Sequence, residues 1–433
     1  MVFVGTVVFS SEDLIAAIRD PSVNAVTIGV LKLELREPVV LDGEREMLMT
    51  CFRPLCAVVR SFGDTEARMV TVMDGSNITF HNIQFSNKPA TAEPLEHAYG
   101  GAVRVHGSSI AHFADCEFVN ITTEGSENGG AVRIGASSRV TFRGCAFTAC
   151  TSNEGGAVYL DAFSDSEASF TLCTFTRSAA TKNGGAVYAG AGSRVEFSSC
   201  DFLANTATAV DGSSTLYGGG AVYIIAVQGT ALTTANFSKC RFNENLASKG
   251  GGVLVNSADM PNNRMVHTTF ADVNFEFNSA TGWDGDSAAV RSGDYGGGGV
   301  HLKGGEHRFS GVSFRAGNAL IGAGMYLEDA SLELVNASLV DNIAAAEGGG
   351  IFVLHSTRLH VNGCAFERNQ ANSGAAMHFV DVYGDATNAT CVAVTDTYVV
   401  NNTAVGSFAR GAGMLIEQGY SRLLDYGSKK ARV

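Results

Sequence analysis

Asn183-Gly-Gly-Ala-Val-Tyr-Ala189, Ser193-Arg-Val-Glu-Phe197 and Cys200-Asp-Phe-Leu-Ala-Asn205 follow one another within 23 residues. Each piece recurs along the chain in the same order. Taking Ile83, Cys116, Cys145, Cys173, Cys200, Cys240, Val273, Val312, Ala337, Cys364 and Asp396 as one column, ten steps cover 313 residues, about 31 per turn. Two residues beyond each stands an aromatic or Leu, from Phe85 through Phe202 and Phe366 to Tyr398. Three before stands a second such column, from Phe80 through Phe197 to Val361 and Ala393. Asp396 is the charged exception, and a lone buried carboxylate is costly. The last turn is therefore open to solvent there or read one residue out of register.

After each Gly-Gly pair, apolar residues alternate with one other residue between, as in Val103/Val105, Val187/Ala189 and Val300/Leu302. Period-two alternation marks a strand with one buried face. Three short strands per repeat, each needing the same buried face in register with the next, predict a parallel β-solenoid whose inward residues stack as ladders. Right-handed crossovers are the rule for parallel strands, so the expected fold is all-β, a right-handed parallel β-helix. The Asn closing the third strand (Asn205, Asn245, Asn278, Asn342, Asn369, Asn401) suits a turn that tolerates left-handed backbone. Ahead of the repeats, residues 10–20 read as a short amphipathic helix, with Ser10 and Asp13 as a capping pair and Leu14, Ile15 and Ile18 on one face. Such a helix covers the open first edge. The expected organisation is a cap with first turns over 1–76, a repeat β-helix of about eleven turns over 77–416 and a tail over 417–433, together one domain.

The 433 residues carry 51 Gly but only 6 Pro, which fits many tight backbone corners rather than disorder. With 30 basic against 43 acidic residues the net charge is −13, which argues against nucleic acid as a partner. No run of about 18 apolar residues exists to span a membrane as a helix. The first residues, Met1-Val-Phe-Val-Gly-Thr-Val-Val-Phe9, lack a basic leader region and a small-residue cleavage site, so no signal peptide or membrane anchor is expected from this sequence.

The alternation of Gly-Gly-Ala-(Val/Ile/Leu) with Phe-x-x-Asn, complete at Phe202, Phe242, Phe275 and Phe366, resembles the polymorphic outer-membrane protein family. That resemblance covers about Asn77 to Ile416, and the chain as a whole is similar to the pectin-lyase-like helices. It implies a β-solenoid adhesin, secreted and displayed at a cell surface, with a glycan or a surface protein as partner. The family also implies a C-terminal membrane barrel, and no such segment follows Ile416. A non-catalytic, adhesin-like binding protein is thus the leading expectation. The alternative is a carbohydrate-active enzyme, a polysaccharide lyase or hydrolase of the same shape.

An enzyme of that kind needs paired carboxylates, or a base with a metal or Arg, on outward positions of neighbouring turns. The outward residue between the reference and second Phe columns, running from Gln84, Glu117 and Ala146 to Thr397, never pairs two carboxylates on adjacent turns. No catalytic residue is therefore assigned. Between the two inward residues after the Gly pair stand Arg104, Arg133, Tyr159, Tyr188, Tyr223 and, further on, Tyr326. Such a stripe could stack on sugar rings; the competing reading is that it covers the strands of an exposed sheet. Asp284, Asp286 and Asp294 form the best acidic cluster, a calcium site if their oxygens converge and a solvated polar loop otherwise; no other cofactor is expected. The stacked Cys column reads as core filler, and Cys51 with Cys56, outside it, as the candidate bridge in an oxidising compartment.

Overall fold

A computed structural model of the chain describes residues 5–417, except 53–54, 61–66, 88–100, 124, 126, 136, 209–216, 258–264, 282–295, 357, 383–391 and 407–408. These residues fall into two compact units, Met1–Thr181 with Gly185–Asp201, and Lys182–Gly184 with Phe202–Val433. Each is a parallel β-solenoid. Four strands per full turn build four sheets, here named a (after the Gly pair), b (ending in the first Phe column), c (carrying the second) and d.

In the first unit, sheet b runs from Gly5–Val8 through Ile110–Ala114 and Arg139–Arg143 to Arg194–Ser198. Register places Phe113 on Phe142, Phe142 on Phe170 and Phe170 on Phe197. Their rings stack at 5.0, 4.7 and 4.9 Å. Phe147 of sheet c meets Phe142 edge-on at 5.4 Å. All of these are buried. Burying each ring contributes about 2–3 kcal/mol, and the aromatic contact roughly another 0.5–1.5 kcal/mol. The thiol column lies beside them: Cys116, Cys145 and Cys173 point their Sγ atoms at the carbonyls of Phe80, Phe113 and Phe142, each at 3.5 Å. These cysteines are free and buried, while Cys51 and Cys56 form a disulfide. The helix, Ser11–Arg19, begins at Ser10, whose side chain accepts from the Asp13 N–H. It buries Leu14, Ala17 and Ile18; Ile15, expected on that face, is half exposed.

The second unit repeats this plan and adds a feature the turn-residue reading of Asn did not contain. The left-handed residue is the one before it: Ala204, Glu244, Phe277, Asp341 and Arg368 have φ between 52° and 58°. The asparagines themselves point inward, with Asn205, Asn245, Asn342 and Asn369 fully buried and Asn278 nearly so. Asn245 shows the pattern: its Oδ1 accepts from the Asn205 N–H and Nδ2–H at 3.0 Å. Its Nδ2 donates to Phe202 O at 3.0 Å and to Asn278 Oδ1 at 2.9 Å. A second run joins Asn342, Asn369 and Asn402, after a turn in which Gly317 replaces Asn. Beyond each Asn, two residues pair as sheet d, such as Leu246–Ala247 on Ser279–Ala280. These are the fourth strands that the three-strand expectation lacked. Most are two residues long, too short to show a hydrophobic period; Asn318–Ile321 and Ile343–Glu347 are the longer ones.

The last turn resolves the Asp396 exception. Phe366 pairs with Val399 and Val361 with Val394, so Thr397, not Asp396, continues the reference column. Asp396 is a left-handed corner residue with φ 48°, Tyr398 turns outward and is 65% exposed, and Asn402, not Asn401, continues the ladder. Glycine is required at the left-handed corner position, where Gly219 has φ 71° and a Cβ would overlap Val222 O, whereas the next position, Gly220, is taken by Ala323 and Ala375 in later turns.

Candidate functional site

The outward stripe on sheet a is real as a register. In the first unit Arg104 aligns with Arg133, Arg133 with Tyr159 and Tyr159 with Tyr188. Arg104 is exposed, Arg133 and Tyr159 are partly so, and Tyr188 is buried at 7% exposure. Arg133 is held by Asp161 at 2.9 Å and Glu127 at 3.6 Å, and its guanidinium lies 5.8 Å from the centre of the Tyr159 ring. Tyr159 stacks on Tyr188 at 4.6 Å. Burial, with the charges of Glu154 and Asp161, pushes the Tyr159 phenol up to about 12. In the second unit the stripe is covered. Tyr223 is 3% and Tyr326 0% exposed. Ile321 and Leu320, from the segment before the Gly pair, pack with Tyr326 and Phe352 into an apolar cluster. Tyr188, Tyr223 and Tyr326 are thus buried, and Arg104, Arg133 and Tyr159 are the named members of the stripe that stay exposed or partly so. Asp284, Asp286 and Asp294 lie outside the described residues, and among the described residues no group of three or more His, Cys, Asp or Glu side chains is placed to hold a metal.

A different face carries the groove. On sheet b of the second unit, strands Val266–Ala271, Glu306–Ser310, Ser331–Val335 and Arg358–Asn362 line a shallow cleft of about 430 Å³. Alternation puts two rows of side chains outward. One row is His267, Glu306, Ser331 and Arg358; the other is Thr269, Arg308, Glu333 and His360. At a strand spacing of about 4.8 Å the four strands span roughly 14 Å. Two polar contacts cross between turns, Arg308 to Glu333 at 3.6 Å, an ion pair, and His267 to Glu306 at 3.4 Å, an ion pair when the imidazole carries its second proton. Their side chains are 41–64% exposed. Exposed pairs of this kind contribute about 0–1 kcal/mol, so a ligand opens them at little cost.

The floor beneath is fixed. His307 faces inward, with Nε2 donating to Gly304 O at 2.7 Å and Nδ1 accepting from the Thr268 hydroxyl at 2.8 Å. Burial holds its imidazole down at about 4, against which its bond to Gly304 acts only in part. The ring stays neutral and in one tautomer near pH 7.

The sequence contained a signal for this cleft. The outward positions one and three before the first Phe column place Glu306 and Glu333 on adjacent turns. The column tabulated for paired carboxylates lay on sheet c, a different face.

The family model described as a right handed beta helix region matches residues 61–276. It agrees with the all-β, parallel solenoid seen here and with the expected hand. No curated protein matches the sequence. Among solved structures the chain is similar to tailspike protein 3 of bacteriophage CBA120, at 10% identity and TM-score 0.42, with 98% of this chain and 59% of that chain covered. It is similar to the catalytic domain of a GH87 alpha-1,3-glucanase in complex with nigerose, at 10% identity and TM-score 0.37, with 99% and 68% covered. It is also similar to the Dettilon tailspike protein, at 10% identity and TM-score 0.27, with 94% and 64% covered. The chain thus spans 59% of the length of the first of these. Among the described residues no helix is long and apolar enough to cross a membrane.

Proposed function

We propose that this chain is an extracellular, glycan-binding protein that holds an oligosaccharide across the outer face of sheet b, between His267 and His360. The observation that supports this reading most is the double row of polar side chains on four adjacent strands, with two weak contacts between turns and a rigid floor. Sugars present hydroxyls that both accept and donate. Arg308, Arg358 and the histidines supply donors, while Glu306 and Glu333 supply acceptors. Leu332 is the single apolar side chain among the lining residues, so recognition rests on hydrogen bonds rather than on stacking. Surface display rests on the resemblance to polymorphic outer-membrane proteins, and a surface protein as partner is an outcome of the same test.

Hydrolysis is the second reading, favoured by Glu306 and Glu333. They occupy diagonal positions on paired strands and face the same side of the sheet, the kind of placement a pair of carboxylates needs to flank one glycosidic bond. Binding is favoured because the side chains stay about two-fifths exposed, in a cleft with no wall that excludes water.

Glycan arrays, with a reducing-end assay on the polysaccharides retained, separate the two. We expect retention without new reducing ends, and a loss of affinity of about tenfold or more in Arg308→Gln and Glu333→Gln, as for a lost charged hydrogen bond. New ends that vanish in both Glu306→Gln and Glu333→Gln would establish the hydrolase instead. Retention of no glycan, or unchanged affinity in all these variants, would overturn the groove as the site.

A further inference from the structure

Six Asn-x-Ser/Thr triplets occur in the chain, at Asn77, Asn120, Asn236, Asn336, Asn388 and Asn401. Asn388 lies outside the described residues. The other five divide by their place in the solenoid. Asn77 and Asn236 sit within strands of sheet b, Asn77–His81 and Thr233–Ser238. Asn120, Asn336 and Asn401 sit at corners, each one residue past a strand: Glu117–Val119, Ser331–Val335 and Tyr398–Val400. All three corners are exposed and left-handed, with φ of 54°, 51° and 55°.

Backbone conformation accounts for the asparagine at such a corner but asks for nothing two residues on. Among the described residues four asparagines are left-handed, Asn82, Asn120, Asn336 and Asn401, and all but Asn82 carry a Ser or Thr at that place. The residue between turns inward in each case: Ile121 is fully buried, Ala337 is 3% exposed and Asn402 is bonded into the ladder through Asn369. Thr122 and Ser338 are half-buried and Thr403 is exposed, so amide and hydroxyl both reach the outer surface. Among the described residues no hydrogen bond holds the three corner amides. Asn336 leans over Gly363 of the next turn, which has no side chain to obstruct it.

The strand positions are enclosed by comparison. Asn236 Oδ1 accepts from the Thr269 hydroxyl at 2.7 Å, and Asn77 stands between Glu46 and Ile110 in register. A pyranose ring is wider than the strand spacing of about 4.8 Å, so a sugar there overlaps the side chains on either side. The Cys51–Cys56 disulfide, an independent feature, persists in an oxidising compartment, the setting in which lipid-linked oligosaccharides are transferred to protein. We infer that Asn120, Asn336 and Asn401 carry N-linked glycans, while Asn77 and Asn236 stay bare. The inference rests on the extracellular part of the reading above and not on its cleft. In the transfer, Nδ2 attacks the anomeric carbon of a lipid-pyrophosphate-linked oligosaccharide. The nitrogen–carbon bond forms as the carbon–oxygen bond to pyrophosphate breaks. The pyrophosphate leaves with the electron pair, and one amide proton passes to a base of the transferase. A glycan on Asn336 then stands at the end of a cleft strand, and a bare Asn236 leaves Thr269 uncovered.

Peptide mapping of the full chain secreted from a eukaryotic cell line, before and after enzymatic release of N-glycans, reads the sites directly. Glycopeptides are expected at Asn120, Asn336 and Asn401, each asparagine becoming aspartate on release. One site should be lost in each of Thr122→Ala, Ser338→Ala and Thr403→Ala, which keep the asparagine and remove only the hydroxyl. Circular dichroism matching the parent chain shows that these variants fold. Bare asparagines at all three corners would overturn the inference, and so would occupancy of Asn77 or Asn236 equal to that of the corners. The glycan array is read separately: a chain glycosylated at its corners that retains no glycan loses the cleft and keeps this assignment.

Discussion

An Asn245→Asp substitution is expected to leave the second unit unfolded at neutral pH, and Asn245→Ala to cost it about 3–5 kcal/mol, the sum of two or three buried groups left unsatisfied. Alanine removes a partner of the Asn205 N–H, of its Nδ2–H and of Phe202 O together, and one of the two donors to Asn278 Oδ1, which keeps the Asn245 N–H. Aspartate is worse, because its second oxygen would face Phe202 O and Asn278 Oδ1, both acceptors, inside a buried column. The effect belongs to the second unit. In the first, Cys150 occupies the equivalent corner and meets the Phe118 carbonyl through Sγ at 3.5 Å. Burial pushes that thiol up to about 12, so it remains a neutral filler. Chemical denaturation followed by circular dichroism checks both variants. A loss under about 1 kcal/mol in Asn245→Ala would show that the ladder stabilises little.

Acidification gives the second large effect. His301 is buried, with Nδ1 donating to Gly296 O at 3.2 Å; burial, then the charge of Lys249, lowers its ring to about 3. His307 stands at about 4 for the same first reason. Each folded value lies below the unfolded one of about 6.5, so the unfolded chain binds more protons in between. The stabilisation is fully present above pH 6.5 and is lost as pH falls toward 4 and 3. Between pH 7 and 4.5 the two rings together remove about 5 kcal/mol from the second unit, since each unit of pH below 6.5 costs about 1.4 kcal/mol per ring. His307→Gln, which retains a donor for Gly304 O and an acceptor for Thr268, should halve the slope. Stability that stays flat from pH 7 to 4.5 would contradict the neutral-ring assignment.

Core and corner positions were legible because a solenoid repeats them: Phe, Cys and Gly recur at fixed offsets whatever the loops do. The single misregistered turn shows the limit of that reading. Thr397 carries a hydroxyl, and its Oγ1 accepts from the Cys364 N–H at 3.4 Å. An inward Thr looks no more apolar in sequence than its exposed neighbours. Asn at the corner was read as a turn former because its side chain is equally suited to a turn and to a ladder. Only the register of successive turns decides between them. Tyr326 looked exposed because alternation reports which side of the strand a residue leaves, not whether Leu320 and Ile321 later fold over it. The cleft itself was missed for a different reason: outward residues carry no period, so a pair such as Glu306 and Glu333 shows only when the correct face is tabulated.

The central claim is that ligand lies on sheet b of the second unit. The structure of the chain in complex with an array-selected oligosaccharide tests it most directly. The sugar should contact Glu306, Arg308 and Glu333, with at least one of the two contacts between turns opened. A sugar seated instead along Arg104, Arg133 and Tyr159, with the sheet b cleft empty, would contradict it.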